Sequence, residues 1–380
     1  MLDEAARRVR ADHAAATARN AEALAALPPP NCVYAATVHT GSGAFRGTGA
    51  QGGQPRPIHL LARGQVTMPG ALMQPAAIAA LSPLLPADFA LAPDAPEGER
   101  RAALARWLTD ARHPLTWRSV VNRIWQYHFG RGLVDTANDF GRMGGMPSHP
   151  ELLDWLAVTF RDDLQGSRKA LHRLLVTSAT YRQSSARNAP AQQLDAGNKL
   201  LWRAHARKLE AEAVRDAVLC VSGTLDLSMG GPGWQDFVIE QPEHSPHYRY
   251  DLADPADPAT WRRSIYRFVV RSQLQPFLTA FDCSDPSIRV DRRNECISPL
   301  QALTLRNNGF VLVQAAKFAE RVVKEVGPDP TAQVVRAFRL AIGRTPSADD
   351  IAALVAYAKE HGLANVCRLL FNLNGFLFID

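Results

Sequence analysis

Two groups of residues in this chain carry side chains that could do chemistry. Asp139, His149 and Glu151 sit close together in sequence around a Gly-rich turn. A carboxylate beside an imidazole or a second carboxylate can serve general acid–base catalysis. Asp139 and His149 could also bind a divalent ion, provided further ligands converge on the same centre. The second group is basic: Arg262, Arg263, Arg267 and Arg271, with Arg292 and Arg293 closing the next loop. Guanidinium groups grip carboxylates and sulfates through paired donors, so Arg262, Arg263, Arg271 and Arg293 are candidate ligands for an anion. They could equally pair with Asp139, Asp282, Asp285 and Asp291 and staple loops to helices, because an unpaired buried charge is costly.

The remaining motifs carry less. No segment spells a nucleophile elbow, a phosphate loop, a zinc-protease box or a covalent haem site, and no cofactor is indicated. HTGSGAFRGTGAQGGQ is Gly-rich but lacks the order that wraps a phosphate, and it reads as a surface loop. His244 and His247 lack the intervening helical acid of a zinc box and read as surface histidines. Cys32, Cys220, Cys283, Cys296 and Cys367 form no Cys-x-x-Cys pair; Cys283 and Cys296 could close a loop or stay as separate thiols. Ser148 and Ser298 read as helix caps.

The elements that must position these residues are mostly helices. Residues 2–27 read as one Ala-rich helix, ended by Pro28-Pro29-Pro30. CVYAATV and PIHLLARG read as short strands, and the stretch from Leu72 to Phe89 is punctuated by proline. From Glu97 helices dominate. The first places Leu104, Trp107 and Leu108 on one side; the next repeats Trp117, Val121, Ile124, Trp125 and Phe129 at helical spacing until Gly130. Ser148, Pro150 and Glu151 suggest a capping box, as do Ser298 with Gln301 and Ser347 with Asp350. A helix from about 169 to 178 and a long one within 194–222 follow. Met229 to Thr260 reads as a long loop with a hairpin, while for Arg262 to Arg271 strand and helix both remain open. A helix from 298 toward Val326, bent near Asn307-Asn308-Gly309, leads to three more helices over 331–342, 347–360 and 364–378.

The expected fold is therefore mainly α: a multi-helical body with long ordered loops and a small irregular or β segment near the N-terminus. The expected division is an Ala-rich arm over 1–30, an irregular linker with short strands over 31–90 and a helical domain over 91–380. Forty-three basic against 37 acidic residues leave a net charge of +6, and the arginines are scattered. A nucleic-acid surface would need them gathered, so no specific nucleic-acid binding is expected. No run reaches bilayer length, and the polar start MLDEAARRVRADHAAATARN has no apolar core of a leader. Taken alone, that start points to a cytoplasmic product. We expect a monomer or weak self-association.

HPLTWRSVVNRIWQYHFGRGLVDTANDFGRMGGMPSHPELLDWLA, ending at Ala157, resembles the PSD1 (DUF1553) domain at the C-terminus of large planctomycete proteins. Those proteins often also carry a DUF1549 domain and a c-type cytochrome domain. The resemblance continues through KALHRLLVTSATYR (169–182), RRSIYRFVVRS (262–272) and FDCSDPSIRVDRRNECISPLQALTLRNN (281–308). The ending CRLLFNLNGFLFID is similar too, with Leu373 and Gly375 where Ser and Glu are usual. The resemblance covers about residues 90–380. It implies a C-terminal piece of a larger protein or a truncated paralogue, without the DUF1549 and cytochrome domains. It also implies a partner domain supplied by a longer homologue and export to the periplasm or cell envelope. Residues and resemblance together point to an accessory or binding module for an anionic ligand, an acidic saccharide or a partner protein. The alternative is a hydrolase or other enzyme acting on an anionic polysaccharide, with Asp139 or His149 in its cleft.

Overall fold

The computed structural model describes residues 4–27, 57–92, 95–241 and 245–379. The expected strand CVYAATV, the Gly-rich stretch after it, Pro28-Pro29-Pro30, Cys32 and His244 lie outside the described residues. The chain forms two compact units, Met1–His113 and Pro114–Asp380.

In the first unit, α1 (Glu4–Ala25) leaves Val9 and Leu24 exposed. Alanine favours the helix while offering little surface to bury. PIHLLARG supplies β1 (Ile58–Leu61), which pairs antiparallel with β2 (Pro69–Met73) across a register irregularity between His59 and Leu61. The second strand runs into the start of the proline-punctuated stretch at Leu72. In α2 (Glu97–Leu108), Ala103 and Trp107 are buried, whereas Leu104 and Leu108 are exposed, so the buried stripe is narrower than expected. The Trp107 ring meets His113 edge-on, with ring centres 4.5 Å apart.

The second unit has two hydrophobic cores. The first joins α3 (Thr116–Phe129), α4 (Pro150–Arg161) and α5 (Arg168–Val176) through Val121, Trp125, Phe129, Leu156, Phe160 and Leu171. Trp125 and Phe129, one helical turn apart, stack at 3.9 Å. Each large side chain buried this way stabilises by about 1.5–3 kcal/mol. The expected capping box at α4 does not form. His149 occupies the cap position without a side-chain capping bond, and the Ser148 hydroxyl instead lies 3.3 Å from the Leu133 carbonyl. Glu151 still stands in the first turn, where a negative charge suits the helix dipole.

The long helix expected within 194–222 is broken. A short α6 (Ala189–Leu194) stops where the Asp195 carboxylate takes the backbone N–H groups of Lys199 and Leu200. Such local side-chain bonds compete with helix, and Asn198 and Leu201 take left-handed φ in the loop that follows. The chain then forms β3 (Arg207–Lys208) and α7 (Ala211–Ser222), which does end at left-handed Gly223. The long loop contains the expected hairpin, β4 (Val238–Glu240) with β5 (His247–Arg249). Residues 262–271 resolve to neither strand nor α-helix. A single 3₁₀ turn over Ser264–Tyr266 sits among extended pieces.

After α8 (Pro276–Ala280), the chain enters α9 (Pro299–Asn307) and α10 (Gly309–Val326). The bend expected here is a full break, because Asn308 ends one helix and caps the next through Phe310 N–H. Ser298 caps α9 through Gln301 N–H, but the Gln301 side chain does not reach back to complete a box. It is drawn into a buried ionic network described below. The helices α11 (Pro330–Ile342), α12 (Ala348–His361), α13 (Leu363–Phe371) and α14 (Asn374–Leu377) follow, with the Ser347–Asp350 box formed. The second core packs α7, α10, α11 and α13 through Val214, Val218, Phe318, Phe338, Val366 and Phe371. The chain's last strand, β6 (Phe378–Ile379), pairs with β3. The protein is mainly α, with only two-stranded sheets among the described residues.

Candidate functional site

Pairing with β6 orients the two charges of β3 differently. Lys208 is buried, and its ammonium donates to Asp282 Oδ2 (3.0 Å), Gln301 Oε1 (2.9 Å) and the Cys296 carbonyl (2.6 Å). Three acceptors satisfy the three donors of a lysine whose burial would otherwise be costly. Arg207 reaches the C-terminus of α3, where it donates to the Tyr127 carbonyl. Gly130 ends that helix at φ 77°, and a β-carbon there would stand 2.7 Å from the Arg207 stem. Only glycine suits both the left-handed turn and the close approach.

Asp282 is the keystone of the loop 282–296. It adopts φ 65°, a region costly for a residue with a side chain. Its carboxylate is fixed by Lys208, by Cys296 N–H (3.1 Å) and by the Cys296 thiol (2.8 Å). Burial alone would raise the Asp282 pKa; the bonds from Cys296 and Lys208 outweigh it and hold the carboxyl below its usual range. In turn the bond to Asp282 pushes the Cys296 thiol up, so it stays protonated at neutral pH.

On the other side of the loop, Arg293 forks onto Glu212 in the first turn of α7, with N–H···O distances of 2.8 and 2.9 Å. Partial burial opposes both charges, but the fork prevails. It raises the Arg293 pKa and lowers that of Glu212. Cys283 lies 3.6 Å from Glu212, and burial together with that carboxylate pushes its thiol up. Cys283 and Cys296 are free and serve different partners.

The Glu212–Arg293 side borders two clefts, with Arg293 common to both. One, of about 100 Å³, is lined by Tyr127, Arg207, Lys208, Glu210, Arg292 and Arg293 among others, with cationic and acidic groups in balance. The other, of about 330 Å³, has apolar walls from Val269, Val270, Leu274, Leu278 and Ile288. Two of its charged groups are paired, Glu212 with Arg293 and Arg267 with Asp236 at 2.8 Å, and the Asp285 carboxylate accepts the Ser287 N–H.

The arginines singled out by sequence therefore divide. Arg293 pairs with Glu212. Arg262 donates to the carbonyls of Ser228, Gly230 and Pro232 and lies over the Tyr266 ring at 4.1 Å. Both are staples in this geometry. Among the described residues the Arg263 guanidinium faces only the Met229 sulfur, at 3.3 Å. Arg271 is exposed, and no carboxylate among the described residues pairs with it, nor with exposed Arg289.

Asp139, His149 and Glu151 are not joined by any hydrogen bond or ion pair among the described residues. The Asp139 carboxylate closes a local turn by accepting Gly141 N–H (2.8 Å). His149 Nδ1 faces the Ser148 hydroxyl at 2.9 Å. Among the described residues no group of three or more His, Cys, Asp and Glu could hold a metal ion.

Several participants escaped the sequence reading. Lys208 and Glu212 fall within the stretch 194–222 expected to hold one long helix, where nothing local marks them as ion-pair partners. Arg215 is nearly fully buried within α7, over the Trp234 ring at 4.3 Å, and bonds the Arg262 carbonyl and Ser264. Burial pushes its pKa down to about 10, which leaves it charged. Its neighbour Asp216 accepts from Ser264 N–H and Oγ. The only signal for this tether was the unusual arginine within an otherwise apolar helix stripe.

Residues 100–358 match the family PSD1, described as "Protein of unknown function (DUF1553)". The chain belongs to that family. No curated protein and no solved structure matches it. In this DUF1553 chain the matched span contains α7, the 282–296 loop and both clefts. No helix among the described residues is long and apolar enough to cross a membrane.

Proposed function

We propose that this domain is a non-catalytic binding module that docks an acidic, apolar-anchored segment of a partner protein. One observation carries the reading. The 330 Å³ cleft is walled by aliphatic side chains; Glu212 pairs with Arg293 and Arg267 with Asp236, while the Asp285 carboxylate accepts the Ser287 N–H. Arg271 and Arg289, the chain neighbours of wall residues Val270 and Ile288, carry no carboxylate partner among the described residues. Apolar contact with arginine at the rim is the composition of protein interfaces. The walls favour a polypeptide over an acidic saccharide, which offers hydroxyls and carboxylates rather than aliphatic anchors.

The hydrolase reading finds less support in the same geometry. Both loop thiols are held protonated, and the Glu212 charge is committed to Arg293. Ser148 donates its single hydroxyl proton toward the Leu133 carbonyl only if His149 is the donor to Oγ. In that arrangement His149 is no base for it.

The test is a fluorescence anisotropy titration with a labelled peptide of alternating glutamate and leucine, against its lysine–leucine counterpart. We expect saturable, salt-sensitive binding of the acidic peptide alone. Equal affinity for both peptides, or for neither, contradicts the proposal.

A further inference from the structure

A separate pair of side chains lies on the first core's surface, at the contact of α3 and α5. His128 Nε2 and His172 Nδ1 face each other at 2.7 Å. The rings stand nearly perpendicular, with centres 5.0 Å apart, and Tyr181 packs edge-on against His128 at 5.6 Å. Tyr181 also meets Phe129 edge-on, which ties the His128 ring to the packed face of α3. His172 is exposed and His128 is half-buried, so water reaches the pair.

Two imidazole nitrogens this close must share a proton or a cation between their lone pairs. The hydrogen bond uses the proton. A divalent transition-metal ion can replace it, because neutral imidazole is a preferred ligand for zinc, copper and nickel. Metal–nitrogen distances near 2.0–2.1 Å place two cis nitrogens about 3 Å apart, so the rings need part only slightly.

We propose that His128 and His172 form a two-imidazole site for a divalent transition-metal ion, with water completing its coordination. Rigid helices supply both ligands, and solvent access leaves the other positions open. Burial, with His172 and Arg207 nearby, pulls the His128 pKa down and keeps that imidazole in its neutral, ligating form. The Arg207 charge also opposes a cation, so the site is one of moderate affinity. It is independent of the peptide-docking reading, since neither histidine lines the clefts at Arg293.

Equilibrium dialysis of the full chain against zinc ion at mildly alkaline pH tests this, beside His128→Ala and His172→Ala. We expect one zinc per chain and at least about a tenfold loss of affinity in each variant, the usual scale for removing a supporting ligand group. Unchanged affinity in both folded variants overturns the proposal. Should a variant fail to fold, copper(II) bound to the native protein provides the second readout. Its electron paramagnetic resonance spectrum should show splitting from two nitrogens, and a spectrum without nitrogen splitting overturns the proposal equally.

Discussion

Glu212 and Arg293 meet through two parallel hydrogen bonds of 2.8 and 2.9 Å, although 81 positions separate them in the chain. That fork clamps the 282–296 loop to the first turn of α7 and borders the apolar cleft. Arg293→Ala should destabilise the protein by about 1–3 kcal/mol, the cost of leaving a partly buried partner without its bond. Urea denaturation measures it. By the same measurement Arg271→Ala should shift stability by less than about 0.5 kcal/mol, as expected for an exposed side chain with no carboxylate partner among the described residues. Equal losses in the two variants would erase the distinction between staple and rim.

Lys208 anchors the opposite side of the loop. Lys208→Met keeps the length of the side chain but takes the cationic partner from the largely buried Asp282 carboxylate, which keeps its bonds from Cys296 and Gln301. Removing one partner of a buried pair costs roughly 3–5 kcal/mol. Hydrogen exchange should show the loop around Cys296 losing protection while α11 and α12 retain theirs. Uniform loss across the unit would show that Lys208 supports the whole core rather than the loop.

Thiol chemistry reports the same network. Cys296 is exposed yet held protonated by its bond to Asp282, so its alkylation by iodoacetamide at neutral pH should be slow. Asp282→Asn removes that carboxylate and leaves Lys208 nearby, which lowers the thiol pKa and should accelerate labelling severalfold. Mass spectrometry identifies the site. Cys367 is buried, with its pKa pushed up by burial to about 12, and should react only on unfolding.

The pH dependence of stability follows from the signs of the shifts. Glu212 and Asp282 have folded pKa values below their unfolded ones, near 4.5 and 3.8. Their contribution is fully present above those values and is lost as pH falls through the depressed folded values. His128 is a base whose folded pKa is lowered, so its contribution begins to fall as pH drops below the unfolded value of 6.5. Denaturation midpoints should therefore decline gently below 6.5 and steeply below 4.5. His128→Ala should flatten only the first part, and Glu212→Gln part of the second. A midpoint constant down to about pH 3 in the wild type would contradict both assignments.

Local patterns made most of the helical body legible. The stripe Val121, Trp125 and Phe129 and the punctuation of Gly130 gave α3, and Ser347 with Asp350 gave the start of α12. What periodicity could not show was competition between side chains and backbone. Asp195 captures two N–H groups and ends α6, and Asn308 divides α9 from α10. The sites were less legible because charge pairing crosses long stretches of chain. Nothing near Arg293 indicates that its partner is Glu212, or that Arg271 has no carboxylate partner among the described residues. His128 and His172 likewise meet only because α3 packs on α5.

The binding reading stands most directly on charge reversal at Arg271 and Arg289, the chain neighbours of wall residues Val270 and Ile288. Replacing Arg271 and Arg289 together by glutamate should leave the fold intact, because neither holds a carboxylate among the described residues. Anisotropy titrations should then show the glutamate–leucine peptide losing at least about tenfold in affinity, or about 1.4 kcal/mol, with the lysine–leucine peptide gaining. Unchanged affinities for both peptides in the folded variant would contradict a docking role for this cleft.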